Sequence, residues 1–433
     1  MRQAPRLIAA VMIASLCAAG AQEPAQWARF RGANGAGLAL KSDPPTVWDD
    51  TKNVEWKTAL PGPGSSSPIV WGDRVFVTCY SGYGVNRPET GQIADLKRHL
   101  VCVDRTTGKV LWDRSVPAAQ PEVPSTGNIM EHGYASNGPA TDGKRVYAFF
   151  SKSGVFAFDM DGNEVWRTNV GTQSGSRGWG SSGGVILYKN LVIVNASDES
   201  RSLRALDKDT GKEVWNVTSQ RLDSAYGTPV LYETPEGGTQ LLLGVPDNLW
   251  GFDADTGKNL WYCGTGFGGN LVPGVIIGDG LAYVFGGFPN TGSVAIKLGG
   301  TGDITATHVA WRGESGSYVP TPVFHDGRLY WVDDTGFAVC ADAKTGKNLY
   351  RERIVPPGRS KPFYASVVLA GDRLYAVSRT NGTFVIRAKP EYELIATNRI
   401  TSDDSQFNAT PAVADDQLLI RSNKFLYCIE AAK

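Results

Sequence analysis

Residues 207–215 read DKDTGKEVW, and residues 253–261 read DADTGKNLW. The phrase recurs as DRTTGKVLW at 104–112, DMDGNEVW at 159–166 and DAKTGKNLY at 342–350, and weaker copies place their anchor residues at 56, 311 and 395. The eight anchors lie 39 to 56 residues apart along the chain. A repeat of this length is typical of the four-stranded blades of a β-propeller.

Each unit reads as four antiparallel strands. In the third unit an alternating strand, LVIVNA at 191–196, precedes a strand that ends in an acid, LRALD at 203–207, and then the tryptophan strand. A period of two, β-branched residues and Gly or Asp turns favour strands over helices. Within the phrase, Asp accepts backbone N–H groups, Gly supplies a positive φ, and Trp packs against the neighbouring blade. A calcium-loop interpretation lacks the downstream ligands that such a loop requires.

The two ends of the chain complete each other. Eight units begin with an innermost strand, but the last stops at Glu430 without its tryptophan strand. The stretch VEWKTAL at 54–60 is a tryptophan strand without a unit before it. We therefore predict an all-β fold over residues 52–433, an eight-bladed β-propeller of four-stranded antiparallel blades whose last blade is closed by the N-terminal strand.

The N-terminus has the organisation of a secretory signal. Arg2 and Arg6 precede an apolar run from 7 to 19, and small residues follow up to Ala21. We interpret residues 1–21 as a signal peptide and residues 22–51 as an N-terminal extension, which predicts a periplasmic or secreted protein. The alternative is a short membrane anchor. No later apolar stretch is long enough to cross a membrane.

Charge and cysteine content narrow the class of protein. Lys plus Arg and Asp plus Glu both number 43, which argues against nucleic-acid binding and against a polybasic membrane surface. The histidines and cysteines lack ligand spacing, so we predict no metal site. Five cysteines follow the signal segment, and an odd number leaves at least one unpaired. Cys79 and Cys102 lie on neighbouring strands, and whether they form a disulfide is left open.

The candidate binding residues precede the innermost strands. Loops after strands two and four share one face of a propeller, and this face carries the insertions at 80–98, 115–134, 195–202 and 286–292. The residues expected around the channel mouth on this face are His132, Tyr134, Asn137, Arg177, Trp179, Asp223, Tyr226, Asn270, Tyr318, Tyr364 and Asn408, with Phe363, Gln406 and Phe407 beside them. Aromatic rings among amides suit a flat or sugar-like ligand. The alternative is that they pack the blade ends.

The repeated phrase resembles the pyrroloquinoline-quinone (PQQ) propeller repeat over nearly the whole mature chain. WARFRGANGAG at 27–37, EHGYASNGPATDGKRVYAFF at 131–150 and GSSGGVILYKNLVIVNASDE at 180–199 are similar to exported bacterial PQQ-binding-like β-propeller repeat proteins. The same class includes quinoprotein alcohol dehydrogenases and the outer-membrane assembly lipoprotein that scaffolds β-barrel insertion. Fold membership alone does not decide between a scaffold and an enzyme.

Three functions follow from this resemblance. The first is a non-catalytic scaffold of the cell envelope, expected to be a monomer, that binds a protein partner or a small polar or sugar ligand at the loop-rich mouth. The second is a PQQ- and Ca²⁺-dependent alcohol or sugar dehydrogenase, for which the resemblance implies a Trp platform at Trp179 and an acid among Glu131, Asp198, Glu199 and Asp223. The adjacent cysteine pair found in many such enzymes is absent from the sequence. The third is a carbohydrate-binding or carbohydrate-active propeller.

Overall fold

The computed structural model describes residues 26–86, 89–358 and 361–432. The predicted signal segment and its cleavage point at 21 lie outside the described residues. Eight antiparallel sheets surround a central channel, and we number them blades 1 to 8 in the chain order of their innermost strands. The predicted eight-bladed, all-β fold is confirmed.

The strands of the first four blades are given from the channel outward. They are Ile69–Trp71, Arg74–Ser81, Lys97–Asp104 and Val110–Pro117 in blade 1; Ala140–Thr141, Arg145–Phe149, Val155–Asp159 and Glu164–Thr168 in blade 2; Ile186–Tyr188, Leu191–Ala196, Ser202–Asp207 and Glu213–Thr218 in blade 3; and Val230–Glu233, Thr239–Val245, Asn248–Asp253 and Asn259–Gly264 in blade 4.

The remaining blades follow the same order. Their strands are Ile276–Gly278, Leu281–Gly286, Gly292–Lys297 and Val309–Gly313 in blade 5; Val323–His325, Arg328–Val332, Phe337–Asp342 and Asn348–Arg353 in blade 6; Val368–Ala370, Arg373–Val377, Thr383–Arg387 and Leu394–Asn398 in blade 7; and Ala412–Ala414, Gln417–Arg421, Phe425–Ile429 and Val54–Ala59 in blade 8. Val54–Ala59 pairs antiparallel with Phe425–Ile429, so the predicted closure by the N-terminal strand is confirmed.

Three short extra strands widen individual blades. Gln26–Trp27 pairs with the innermost strand of blade 1, Leu38–Ala39 with that of blade 7, and Gly302–Asp303 with the outermost strand of blade 4. Helical segments are brief, namely Ile129–His132, Ser197–Ser200 and Thr305–His308 in α-helix, and Ala33–Gly35, Ile93–Asp95, Ser151–Ser153 and Gln220–Leu222 in 3-10 helix. Among the described residues, no helix has the length and apolar character needed to span a membrane.

The repeated phrase forms the joint between consecutive blades. The carboxylate of Asp207 accepts from the backbone N–H and the hydroxyl of Thr210, both at 2.8 Å, and Gly211 adopts a φ of 69°. Nε1 of Trp166, in the preceding blade, donates to the carbonyl of Lys208 at 2.8 Å. Five such indoles, Trp56, Trp112, Trp166, Trp215 and Trp311, donate to the turn of the next blade. The phrase is therefore architectural, as its sequence predicts.

The N-terminal extension crosses the face opposite the mouth, on the side of the turns between strands one and two. The carbonyl of Ala28 accepts from Thr141 N in blade 2, and the carbonyl of Gly37 accepts from Leu369 N in blade 7. Between them, Arg31 is 1 % exposed and donates to the carbonyls of Thr321 at 2.9 Å and Val367 at 2.8 Å. The segment thus connects blades on opposite sides of the channel, a role that its sequence did not indicate.

The five described cysteines are free thiols. Cys79 pairs with His99, whereas Cys102 pairs with Phe76, so the two thiols are offset by three positions along their strands. Because side chains alternate between the faces of a sheet, this odd offset places them on opposite faces of blade 1. The disulfide that the sequence left open is therefore not formed.

Candidate functional site

The mouth-side end of the channel is a cup of about 170 Å³. Every blade contributes one small residue to a ring in the wall of the cup, namely Ser67, Gly138, Gly184, Thr228, Gly274, Thr321, Ser366 and Thr410. We call it the hydroxyl ring after its serine and threonine members. Two positions before each residue of this ring, a second residue lines the cup in every blade, namely Ser65, Ser136, Ser182, Tyr226, Val272, Val319, Tyr364 and Asn408. The eightfold repeat of the innermost strands therefore builds the cup.

Hydrogen bonds between blades fix the hydroxyl ring. Thr228 Oγ1 accepts from Gly184 N at 2.9 Å, and Thr321 Oγ1 accepts from Gly274 N at 2.9 Å. Ser366 Oγ accepts from Thr321 N at 2.9 Å, and Thr410 Oγ1 accepts from Ser366 N at 2.8 Å. A hydroxyl that accepts a backbone N–H keeps its own proton for another acceptor. These four side chains can therefore donate into the cup.

Phe30, which belongs to the N-terminal extension, closes the floor of the cup. Its Cβ lies 3.7 Å from the position that a Cβ on Gly138 would occupy. The two neighbours of Phe30 are buried arginines that anchor it. Arg29 donates to the carbonyl of Pro229 at 3.0 Å, and Arg31 directs all of its guanidinium donors to backbone carbonyls. Phe30 therefore narrows the end of the cup that lies away from the mouth face.

Four aromatic side chains stand in the wall: Trp179, Tyr226, Tyr318 and Tyr364. Trp179 stacks on Tyr226 with ring centroids 5.7 Å apart and planes inclined by 25°. The guanidinium of Arg177 covers Trp179 at 4.9 Å, and that of Arg379 covers Tyr364 at 4.4 Å. These rings offer flat apolar surface to a ligand while cations hold two of them in place.

His132 lines the cup with both ring nitrogens engaged. Its Nδ1 lies 2.8 Å from Ser136 Oγ, and its Nε2 lies 3.0 Å from the carbonyl oxygen of Trp179. Because a carbonyl only accepts, Nε2 carries the proton and Nδ1 accepts from the serine hydroxyl. Burial lowers the pKa of His132, which favours the neutral imidazole. The histidine therefore positions the loop of Trp179.

Arg379, which the sequence reasoning missed, organises the loops around the cup. It is 4 % exposed and donates to Glu131 Oε2 at 2.7 Å, to Gln406 Oε1 at 2.9 Å and to Asn408 Oδ1 at 2.9 Å. These contacts join blade 7 to the helix before blade 2 and to the entry of blade 8. An arginine directly after the second strand of a blade, on the insertion-rich face, is the signal that could have revealed it.

The structure brings six of the eleven predicted mouth residues to the wall of the cup: His132, Trp179, Tyr226, Tyr318, Tyr364 and Asn408. The other five lie around it and support the loops: Tyr134, Asn137, Arg177, Asp223 and Asn270. The hydroxyl of Tyr134 donates to the carbonyl of Val123 at 2.7 Å, and Asn137 Nδ2 donates to that of Gly183 at 2.9 Å. Asn270 is buried, whereas Arg177 is exposed beside Trp179.

Asp223 and Asp198 together hold the loop that carries Trp179. Asp223 Oδ1 accepts from Ser176 N at 3.1 Å, and Asp198 Oδ1 accepts from Gly175 N at 2.9 Å. Burial raises the pKa of Asp198 to about 6. Next to it, Glu199 is fully buried and accepts from Ser151 Oγ at 2.6 Å, and burial raises its pKa to about 7. These carboxyl groups shape the wall without lining the cup.

The cofactor implied by the resemblance does not fit this site. Of the four acids considered for it, only Glu131 lines the cup, and its carboxylate is bound by Arg379. Across residues 26–86, 89–358 and 361–432, no three His, Cys, Asp or Glu side chains come together as ligands for one metal ion. The residues that line the cup therefore supply neither a free carboxylate nor the metal ligands that a quinone beside a calcium ion requires.

The sequence of the chain is similar to those of a known protein family. The family model described as Outer membrane protein assembly factor BamB matches residues 25–176, 96–265 and 298–389, which together make up more than half of the chain. The BamB protein of Yersinia pestis, named as an outer membrane protein assembly factor, is 24% identical over 352 residues, covering 76% of this chain and 79% of that protein.

Two further comparisons show how broadly the fold is shared. The polyvinylalcohol dehydrogenase of Sphingopyxis sp. (strain 113P3) is 23% identical over 357 residues, and the match covers 60% of this chain and 54% of the enzyme. The crystal structure of BamB from Moraxella catarrhalis aligns with a TM-score of 0.58 at 11% identity, covering 87% of this chain and 97% of that one. At this identity the structural likeness establishes the fold alone.

Proposed function

We propose that this chain, which belongs to the family of the outer membrane protein assembly factor BamB, is a non-catalytic scaffold of the cell envelope that binds a protein partner at its mouth face. The mouth face is the side of the propeller that carries the cup and the loops following strands two and four. Relatives named as assembly factors support the scaffold role.

The observation that carries this proposal is a set of exposed apolar side chains on the mouth face, which we call the rim. Val85 is 40 % exposed, Met130 is 38 % exposed and Phe288 is 52 % exposed, and all three belong to loops of the mouth face. Phe288 extends the aromatic wall outward, with its ring centroid 6.1 Å from that of Tyr318. Apolar side chains exposed around a concave aromatic surface are characteristic of protein interfaces.

The groups of the cup support binding better than catalysis. Glu131 is neutralised by Arg379, and His132 already uses both of its nitrogens. A general acid or base needs a position within hydrogen-bond reach of the substrate. The dehydrogenase alternative also requires a metal-bound cofactor, and the described residues of the cup form no cluster of metal ligands. For a carbohydrate-active propeller, only the aromatic wall argues in favour.

Site-specific photo-crosslinking in the organism that carries the gene tests the proposal. A crosslinking residue is placed at Phe288 or at Val85 on the rim, and at Val214 or Leu349 on the outer strands of blades 3 and 6 as matched controls. Val214 and Leu349 are 52 % and 44 % exposed, so they offer comparable apolar surface away from the mouth. The rim positions should capture one envelope protein, and the outer-strand positions should not.

A paired genetic measurement connects binding to assembly. The variant Val85→Ser with Phe288→Ser should lower the amounts of folded outer-membrane proteins, whereas Val214→Ser with Leu349→Ser should leave them at the wild-type amount. Crosslinks that form equally from both sets of positions would contradict a mouth-face interface. Unchanged outer-membrane proteins in a strain that lacks the gene would contradict the assembly role.

A further inference from the structure

Three arginines near the channel are buried without a carboxylate partner. Arg29, Arg31 and Arg421 are 9 %, 1 % and 0 % exposed, and within the described part of the chain none of them forms an ion pair. Desolvation lowers the pKa of Arg29 to about 10 and that of Arg31 to about 9. Burying a charge without a counter-charge is costly, and here backbone carbonyl dipoles offset the three positive charges without a carboxylate to cancel them.

All three guanidinium groups lie directly behind the cup. Arg31 Nη1 donates to the carbonyl of Thr321, a member of the hydroxyl ring, and Arg29 Nη2 donates to that of Pro229, which follows Thr228. Arg421 Nη1 donates to Ser66 Oγ at 2.7 Å, between the cup-lining Ser65 and Ser67. The positive charges therefore surround the lower end of the cup on several sides.

The hydroxyl ring supplies hydrogen-bond donors to a ligand beside these buried positive charges. Thr228, Thr321, Ser366 and Thr410 accept backbone N–H groups from the preceding blade, which leaves their O–H groups free to donate. Oxygen atoms with negative charge are the acceptors that such donors and nearby cations favour together. The one carboxylate among the lining residues, Glu131, is already paired with Arg379 and does not compete.

We propose that the cup binds the carboxylate of a small organic acid with a flat body. The carboxylate accepts from the hydroxyl ring above Phe30, and the flat body lies against the aromatic wall at Tyr318 and Tyr364. This ligand site goes beyond the partner-binding surface and does not depend on it.

Calorimetric titration of the full mature chain with benzoate and with benzamide tests the proposal. The two probes share a ring and a shape but differ in charge. Benzoate should bind more tightly, by on the order of tenfold at low ionic strength. In Arg29→Met this preference for benzoate over benzamide should fall by about threefold or more. Arg221→Met removes an exposed arginine instead and should keep the full preference.

A second variant does not depend on the buried arginines. Thr228→Val keeps the branched shape but removes one ring hydroxyl, and it should weaken benzoate by several-fold more than benzamide. The proposal is overturned if neither probe binds saturably, if benzamide binds as tightly as benzoate, or if both variants retain the wild-type preference. These outcomes leave photo-crosslinking at the rim unaffected, so the two proposals can fail separately.

Discussion

Gly211 of blade 3 lies against the face of the Trp166 indole of blade 2. A Cβ atom on Gly211 would lie 2.6 Å from Cε3 of Trp166, where no side-chain atom can be accommodated. The same close approach joins Gly108 to Trp56 and Gly346 to Trp311. The glycine of the repeated phrase is thus required twice, once for its positive φ and once to admit the neighbouring tryptophan.

Replacing Gly211 by alanine should destabilise the protein by about 2–4 kcal/mol. Part of this arises from the left-handed backbone at a φ of 69°, and part from the overpacking against Trp166. Urea denaturation measures the loss. Gly280→Ala is the matched control, because Gly280 has a φ of 75° but nothing within 4 Å of its Cβ position. Equal losses in the two variants would show that the tryptophan contact contributes nothing.

Arg31→Lys should destabilise the protein by about 2–4 kcal/mol although it keeps the charge. The guanidinium fork reaches the carbonyls of Thr321, Pro322 and Val367 at once, and one ammonium group cannot satisfy them all. Arg29→Lys, at a position bonded to the single carbonyl of Pro229, should cost less than about 1 kcal/mol. Thermal denaturation compares the two, and a smaller effect at Arg31 than at Arg29 would refute its role as the central anchor.

The contribution of Asp198 and Glu199 to stability should fall as the pH rises from about 4 to about 7. Burial raises the pKa of Glu199 to about 7 and that of Asp198 to about 6, from ordinary values of 4.5 and 3.8. In this window the folded protein retains protons that the unfolded chain has released, so increasing pH favours unfolding. The polar and charged groups around this pair include Ser151, Ser181, Lys152, Glu122 and Asp223.

Glu199→Gln should therefore be more stable than the wild type above pH 7, by about 2 kcal/mol, and its stability should depend less on pH. The amide oxygen can still accept from Ser151. Guanidinium denaturation at pH 5 and pH 8 provides the measurement, with Glu236→Gln on an exposed turn as the control. A variant that loses stability at pH 8 would show that the buried carboxylate is compensated in the folded protein.

The native thiols should not react with Ellman's reagent at pH 8. Cys79, Cys102, Cys263, Cys340 and Cys428 are all buried, and burial raises the pKa of Cys102 and of Cys340 to about 12. The reactive thiolate is therefore scarce as well as inaccessible. Unfolding in guanidinium without a reductant should release all five thiols. Only three reactive thiols under those conditions would indicate one disulfide.

Periodicity made the ring predictable. Strand alternation, the Asp and Gly of each turn and the spacing of the tryptophans all repeat, so each blade supports the interpretation of the next. The free tryptophan strand around Trp56 even indicated how the ring closes. A feature that occurs only once in the chain could not be predicted from periodicity. The extension around Phe30 and Arg31 has no counterpart elsewhere, and its partners are carbonyl groups, which every residue has.

The cup was predictable in outline but not in detail. Side chains before each innermost strand alternate between the channel and the blade interior, so neighbours in the sequence have different surroundings. Asn408 lines the cup, whereas Phe407 stacks on Tyr427 with centroids 6.1 Å apart. Likewise Tyr364 lines the cup while Phe363 packs on Phe384. Which of two neighbouring side chains faces the channel depends on the backbone conformation before the innermost strand. No strand pairing fixes that conformation there, so the sequence does not determine it.

The contact between Trp166 and Gly211 recurs at five joints, so blades 1, 2 and 3 each contribute a tryptophan to one joint and a glycine to the other. A duplicate of one of these three units would carry its own tryptophan and its own glycine, so both new joints would be formed by residues that already fit. Rings with one blade more or fewer are therefore reachable from this sequence by copying or deleting a unit. Gain or loss of a blade during evolution would therefore change the diameter of the channel while the existing tryptophan–glycine contact between blades is kept.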